Sequence, residues 1–344
     1  MSSVMRPSDV KSFLKVAIKK GWPILLKSAP GCAKTSLVTQ ACEEENVELI
    51  VSHPVVNESI DYRGLPWVSR DEKTGKPYAV FIPFNQLEIL VNAKKPTVFF
   101  FDDLGQAPAT VQAACMQLLL ARTLNEYVIS DKVTFMAATN RRQDRAGVQG
   151  ILEPVKSRFY SIIEVAVNLD DWIQFAYENK LPAGLIAYVR WRGVPALFKF
   201  EPTTDIQNSP CPRTVTRAGE MLRDGFPDHM RMTVFEGSCG EVWAREFTSF
   251  LKIMENLPSI DEIIANPTKA PVPAKDKADV IYATCGALIE RVNKETFKNI
   301  VTYSERLSAE YSTMIVRDCI MKNPALSSTQ VWQKWIKEHA EVLI

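Results

Sequence analysis

Pro23-Ile24-Leu25-Leu26-Lys27-Ser28-Ala29-Pro30-Gly31-Cys32-Ala33-Lys34-Thr35-Ser36 is the stretch on which the fold turns. It reads as a buried strand, a tight loop, and then Lys-Thr-Ser opening a helix. Such a loop aims backbone N–H groups and a helix N-terminus at one point, which suits a polyphosphate. In that reading Ser28, Ala29, Pro30, Gly31, Cys32 and Ala33 form the cradle, with Ser36 in the first helical turn. Lys34 reaches toward the phosphates and the Thr35 hydroxyl toward a magnesium ion. The strict pattern GxxxxGK[ST] is not met, because Ser28 stands at the first glycine position and Ala33 at the second. Ala33 is expected to have an ordinary helical φ, where alanine costs little. Taken alone, the loop is also what a generic strand–turn–helix looks like, so the surrounding sequence has to decide.

Working outward, short apolar or β-branched runs alternate with helical patterns through the first half of the chain, as a parallel α/β sheet requires. The strand candidates are 23–27, 47–52, 97–102, 132–139 and 161–167, with helices over 33–44 and 109–121 between them. The stretch 61–84 breaks this alternation. Trp67-Val68-Ser69, the polar turn Arg70 to Gly75, and Tyr78-Ala79-Val80-Phe81 predict an inserted hairpin. After Val167 the strand signal fades, and helices are expected over 171–178, 182–192, 214–223, 242–255, 277–293, 295–307 and 309–322. The fold class is thus α/β: a sandwich with a parallel five-stranded sheet and an inserted hairpin over residues 1–168. An all-α domain with a C-terminal helical extension follows over 169–344.

Four further features bear on chemistry. Val98-Phe99-Phe100-Phe101-Asp102-Asp103 is an apolar strand ending in two carboxylates. In that position the first acid suits the metal, with Thr35, and the second suits polarising a water. Asp103 is one methylene shorter than glutamate, and a retreat of that size predicts slow turnover. Asn140 ends the strand of residues 132–139, where its amide is placed to hold a water or contact a terminal phosphate; strand-terminal Asn is equally a turn residue. Arg158 in Glu153-Pro-Val-Lys-Ser-Arg158 suits an arginine finger, and Arg213 in Ser209-Pro-Cys-Pro-Arg213 suits a contact from a helical lid. A surface arginine and a simple helix start are the plain alternatives.

In this order and spacing the pieces resemble an AAA+ ATPase, most closely the MoxR-like branch with a hairpin inserted in its second helix. The resemblance implies that SAPGCAKT is Walker A and FFFDD is Walker B. It further implies that Asn140 is sensor 1, Arg158 the arginine finger and Arg213 sensor 2. Asp61-Tyr-Arg-Gly-Leu-Pro66 with its hairpin matches the helix-2 insert, and Asn140-Arg-Arg-Gln-Asp144-Arg145 the loop after sensor 1. ATP and Mg2+ are the implied cofactors. A homo-oligomeric ring, expected from the family to be a hexamer, is the implied assembly. A protein client, and a partner bearing a von Willebrand factor A domain, are implied by the resemblance alone. Two other classes stay open: a nucleic-acid-dependent motor, and a nucleotide-gated scaffold with little hydrolysis.

Bulk properties narrow the field. Lys and Arg number 41 against 40 Asp and Glu in 344 residues, so no strong global field draws the chain to nucleic acid or an anionic membrane, although a local basic groove is not excluded. No apolar run is long enough to span a bilayer, and the N-terminus lacks a secretory pattern. Seven scattered cysteines without a CxxC pair read as reduced thiols, which places the expected compartment in the cytoplasm.

Overall fold

The computed structural model describes residues 4–144, 147, 150–203 and 205–339. The chain divides into two compact units, Met1–Val167 and Asn168–Ile344. In chain order the strands of the first unit are β1 (Val4–Met5), β2 (Ile24–Ser28), β3 (Glu48–Ser52), β4 (Leu65–Arg70) and β5 (Pro77–Ile82). There follow β6 (Thr97–Phe101), β7 (Thr123–Leu124), β8 (Tyr127–Val128), β9 (Val133–Asn140) and β10 (Ser161–Val165). Six of them form one parallel sheet in the order β1-β10-β2-β9-β6-β3. Five are the strands the sequence predicts. The sixth, β1, is a two-residue edge strand beside β10, too short to leave a periodic signal.

The sheet forms around central strands that are mostly apolar on both faces. β6 and β9 are buried at every residue. Alternation then sorts the side chains: Val98 and Phe100 join the core containing Leu14, Leu26, Leu37 and Met136. Phe99 and Phe101 join the opposite core with Val111, Leu118 and Phe135. The helices Pro7–Lys20 and Lys34–Glu44 supply the first layer and Ala109–Ala121 the second. Each fully buried Phe is worth about 1.5–3 kcal/mol of transfer free energy, so the cluster of Phe99, Phe101 and Phe135 is a main anchor of this unit.

β4 and β5 pair antiparallel with Trp67 opposite Val80 and Arg70 opposite Pro77. The turn is held by Asp71, whose carboxylate accepts from the backbone N–H groups of Lys73 and Thr74 and from the Thr74 hydroxyl. Gly75 takes φ +67, which an L side chain resists. Leu65, Trp67, Val68, Tyr78 and Ile82 of this hairpin are exposed. A second hairpin, β7–β8, goes beyond the sequence reading, because arms of two residues carry no alternation.

The second unit is helical. Its helices include Leu169–Glu178, Ala183–Arg192, Pro212–Asp224, Glu241–Glu255, Ala278–Glu290, Phe297–Ser304 and Ala309–Lys322. Arg231–Cys239, Ile260–Ala265 and Gln330–Glu338 add helices that the sequence reading left out. Tyr188, Trp243, Phe247, Phe235 and Phe250 form an aromatic core. Within the unit lies a buried ionic network. Arg190 donates to Asp318 through Nε at 3.1 Å and Nη2 at 2.6 Å, and to Asp170 at 2.6 Å. Tyr177 adds a hydroxyl bond to Asp318 at 3.2 Å. All seven cysteines are free and buried. Among the described residues no helix is long and apolar enough to cross a membrane.

Candidate functional site

The strand order decides where polar residues meet. β9 lies between β2 and β6, and all three run parallel, so their C-terminal ends open on one edge. Ser28 and Asn140 are register partners at the ends of β2 and β9. Asp102 and Asp103 follow β6 directly. The chain leaves β2 toward one side of the sheet and later returns to β10 on its other side. The end of β2 is therefore a topological switch point, where open α/β sheets place their ligands.

The loop after β2 turns through Gly31 at φ +75 and Ala33 at φ +61 before the helix Lys34–Glu44 begins. This corrects the expectation for Ala33. The helix starts one residue later than the sequence suggests, so position 33 is the residue before the helix and takes the left-handed conformation of the turn. Left-handed backbone costs an L residue roughly 1–2 kcal/mol, where glycine would pay little. Alanine thus occupies a position where the pattern's glycine has a steric reason. Asp103 is also left-handed, at φ +57, so two strained residues flank the same edge.

The side chains converge. Lys34, 7% exposed, directs its ammonium at three oxygens: Asn140 Oδ1 at 2.7 Å, Ser28 Oγ at 3.1 Å and the Ala29 carbonyl at 3.2 Å. A buried ammonium is costly unless its three N–H groups are satisfied, and this set satisfies them. The Asn140 amide then passes the contact on, since its Nδ2 donates to Asp103 Oδ1 at 3.1 Å. Its orientation follows from the chemistry: the carbonyl oxygen faces a donor-only lysine and the NH2 faces a carboxylate. Thr35 Oγ1 donates to Asp102 Oδ2 at 2.8 Å, and the Asp103 N–H donates to Asp102 Oδ1 at 3.1 Å. A hydroxyl and a carboxylate at this distance are hard oxygen donors of the kind Mg2+ takes. Among the expected cradle residues Ser28, Ala29, Gly31 and Cys32 are buried, Pro30 and Ala33 half-buried, and Ser36 exposed on the helix.

The remaining candidates lie apart. Arg158 follows the short helix Glu153–Lys156 and precedes β10. It is half-buried, its Nε is buried without a hydrogen-bond partner, and among the described residues its side chain makes no ion pair. Arg213 is exposed in the first turn of Pro212–Asp224 in the second unit, a helix opened by Pro212 and by the mutual bonds of Cys211 and Thr214. Arg145 lies outside the described residues.

Several residues around the site escape sequence reading. Gly105 is required, because a Cβ there would meet Thr139 Oγ1 at 2.2 Å. Gln112 donates to the carbonyls of Ala107 at 3.0 Å and Gly150 at 2.8 Å, and accepts the Leu152 N–H at 3.1 Å. It thereby fixes the segment leading to Arg158. Arg141, next to Asn140, pairs with Asp144 at 2.8 Å and Glu164 at 3.1 Å. Burial pushes the Glu164 carboxyl up, but Lys27 and Arg141 outweigh it and hold it below the usual range. A cavity of about 520 Å3 opens beside Asn140, lined by Lys27, Arg141, Ile151 and Glu164 among others, and it does not include Lys34, Thr35 or Asp102. The i,i+3 spacing of Arg141 and Asp144 was a readable signal; Gln112 left none.

No family model matches the chain, and no curated protein matches it. Solved structures are similar to it at low identity. The Thermotoga maritima RuvB Holliday junction branch migration motor matches with a TM-score of 0.41 and 17% identity, covering 82% of this chain and 80% of that one. A putative ATPase from Cytophaga hutchinsonii matches with a TM-score of 0.36 and 12% identity, covering 98% of this chain and 89% of that one. NtrX from Brucella abortus gives 0.41 and 10%, covering 91% and 67% respectively. Likenesses this distant concern the course of the chain and assign no residue a role.

Proposed function

We propose that the chain is an ATP-binding and ATP-hydrolysing protein of the AAA+ type that works as a ring on a protein client. One observation carries the reading: Lys34, Thr35, Asp102, Asp103 and Asn140, drawn from three separate segments, meet in one hydrogen-bonded cluster at the end of β2. Lys34 would neutralise phosphate charge from within the loop, exchanging its bonds to Asn140 and Ser28 for phosphate oxygens. Thr35 and Asp102 would hold Mg2+, which when bound neutralises phosphate charge and fixes the phosphate oxygens. Asp103 would accept a proton from the attacking water as its oxygen bonds the terminal phosphorus and the bridging bond to ADP breaks. Asn140, already bonded to both Lys34 and Asp103, would orient that water.

Arg158 from a neighbouring copy would meet the charge that develops on the transferring phosphoryl group. That its side chain makes no ion pair among the described residues supports this, because a committed guanidinium has nothing to give. Arg213 would contact the phosphates from the helical unit, acting as a lid. The exposed hairpin β4–β5, with Trp67 and Tyr78, would carry the resulting movement to the client, and a partner with a von Willebrand factor A domain fits the same reading.

A second reading has its own support. Asp103 is short, left-handed and tied to Asn140, which favours a nucleotide-gated scaffold that turns over slowly or not at all. Native mass measurement with and without ATP–Mg2+, beside phosphate release, separates the two. Assembly with turnover that is lost in Lys34→Ala supports the motor. Assembly without turnover supports the scaffold, and no affinity for any nucleotide sinks both. Turnover that rises only with single-stranded DNA, measured at two salt concentrations, would move the client from protein to nucleic acid.

A further inference from the structure

Residues 53–82 carry the exposed hairpin, yet they reach the interior of their unit through one large side chain. Tyr62 is 1% exposed and sits in the short helix Ile60–Arg63, directly before the first arm. Its ring packs on Phe101 with centroids 5.9 Å apart, and Phe101 is the residue before Asp102. Its hydroxyl shares a hydrogen bond with Ser52 Oγ at 2.8 Å and accepts from Asn57 Nδ2 at 2.9 Å. Ser52 closes the path, since its carbonyl accepts the Asp102 N–H at 2.9 Å.

The outer end of the path is stiff as well. Gly64 has φ +88, and a Cβ there would lie 2.9 Å from the Ile82 carbonyl oxygen, so the end of the helix packs backbone on backbone against the second arm. Asn125 Nδ2 donates to the Arg63 carbonyl at 3.1 Å. Burial pushes the Tyr62 phenol well above its ordinary range, so it acts as a neutral hydrogen-bonding group.

We propose that Tyr62 is a positioning residue that couples the acidic strand end to the hairpin. A shift of the Asp102 backbone moves Ser52 and Phe101 together, and Tyr62, bonded to one and packed on the other, passes the shift to the arms. Close-packed interiors transmit such shifts because they have little free volume to absorb them. The proposal rests on the nucleotide reading above and adds the route by which the site reaches the hairpin.

Hydrogen exchange on the full chain, with and without ATP–Mg2+, tests it in the wild type, Tyr62→Phe and Ser52→Ala. Residues 28–36 report nucleotide binding and residues 65–82 report the hairpin. In the wild type both stretches change on adding nucleotide. In Tyr62→Phe the loop response and phosphate release stay within about twofold, while the hairpin response falls about threefold or more. Ser52→Ala reproduces this, and because the readout is a difference with and without nucleotide, a simple loss of stability does not imitate it. A hairpin response equal in all three proteins overturns the coupling, as does a wild-type hairpin that is unmoved while the loop responds. A wild-type loop that does not respond overturns the nucleotide reading itself, and the coupling with it.

Discussion

Lys34 in the first unit and Arg190 in the second are both cations withdrawn from water, and their surroundings differ in kind. Lys34 bonds a hydroxyl, an amide oxygen and a backbone carbonyl, on a loop and two strand ends. Arg190 bonds two carboxylates, with a guanidinium geometry that is bidentate to Asp318. The first arrangement draws its acceptors from a loop and the ends of two neighbouring strands. The second is closed, and it ties Leu169–Glu178, Ala183–Arg192 and Ala309–Lys322 together. Backbone strain follows the same division. Ala33 and Asp103 are left-handed beside Lys34, whereas among the described residues Lys180 is the one non-glycine residue of the second unit with positive φ. One cation sits among strand ends and strained loop residues, the other within a bonded helical core.

The contrast is broken most severely at Arg158. If this arginine serves another copy, Arg158→Ala lowers steady-state phosphate release by about a thousandfold or more with no change in melting temperature. A comparable loss of melting temperature would make it a structural residue of its own unit. In the closed network, Asp318→Ala leaves Arg190 with the half-exposed Asp170 as its carboxylate partner and should cost about 3 kcal/mol, read by chemical denaturation, while nucleotide affinity changes little. Asp103→Glu restores the missing methylene, and an increase in turnover approaching about a hundredfold is expected if reach is what limits the base. Ala33→Gly relieves the left-handed strain and should stabilise the first unit by about 1 kcal/mol.

Acid gives the mildest separation. Hydrogen bonds from Lys11 and then Lys15 hold Glu44 down to about 2, and the backbone of Thr74 lowers Asp71. Carboxylates depressed in the folded state contribute fully above their unfolded values and lose that contribution as pH falls through the folded ones. Asp318 is raised, because burial outweighs Arg190. Pulse-labelled hydrogen exchange after incubation near pH 3.5 should therefore show the first unit losing protection before the second, by a small margin because Glu44 and Asp71 are solvent-screened.

The parts of the fold that were legible share a physical cause. β2, β6 and β9 are buried on both faces over most of their length, so their sequences are mostly apolar, and the β4–β5 turn has turn chemistry of its own. β1 and β7–β8 were missed because strands of two residues cannot alternate. Lys34, Thr35, Asp102 and Asn140 were legible from residue type at the end of an apolar run. Ser28 as a lysine acceptor, Gln112 as a clamp and Tyr62 were not, since each is a single polar residue given its meaning by a distant partner. Arg190 and Asp318 stand 128 positions apart, beyond any local pattern. Ala33 was misjudged by one residue of helix boundary, and that residue decides the sign of φ.

β6 has a consequence for anyone making inactive variants. Thr97-Val98-Phe99-Phe100-Phe101 is a charge-free, β-prone run of the kind that self-associates when it is briefly uncovered during synthesis. Lys94, Lys95 and Pro96 guard one end, and Asp102 and Asp103 guard the other. Replacing both aspartates by asparagine removes the gatekeepers along with the chemistry, so such a protein is prone to precipitate before its inactivity can be measured.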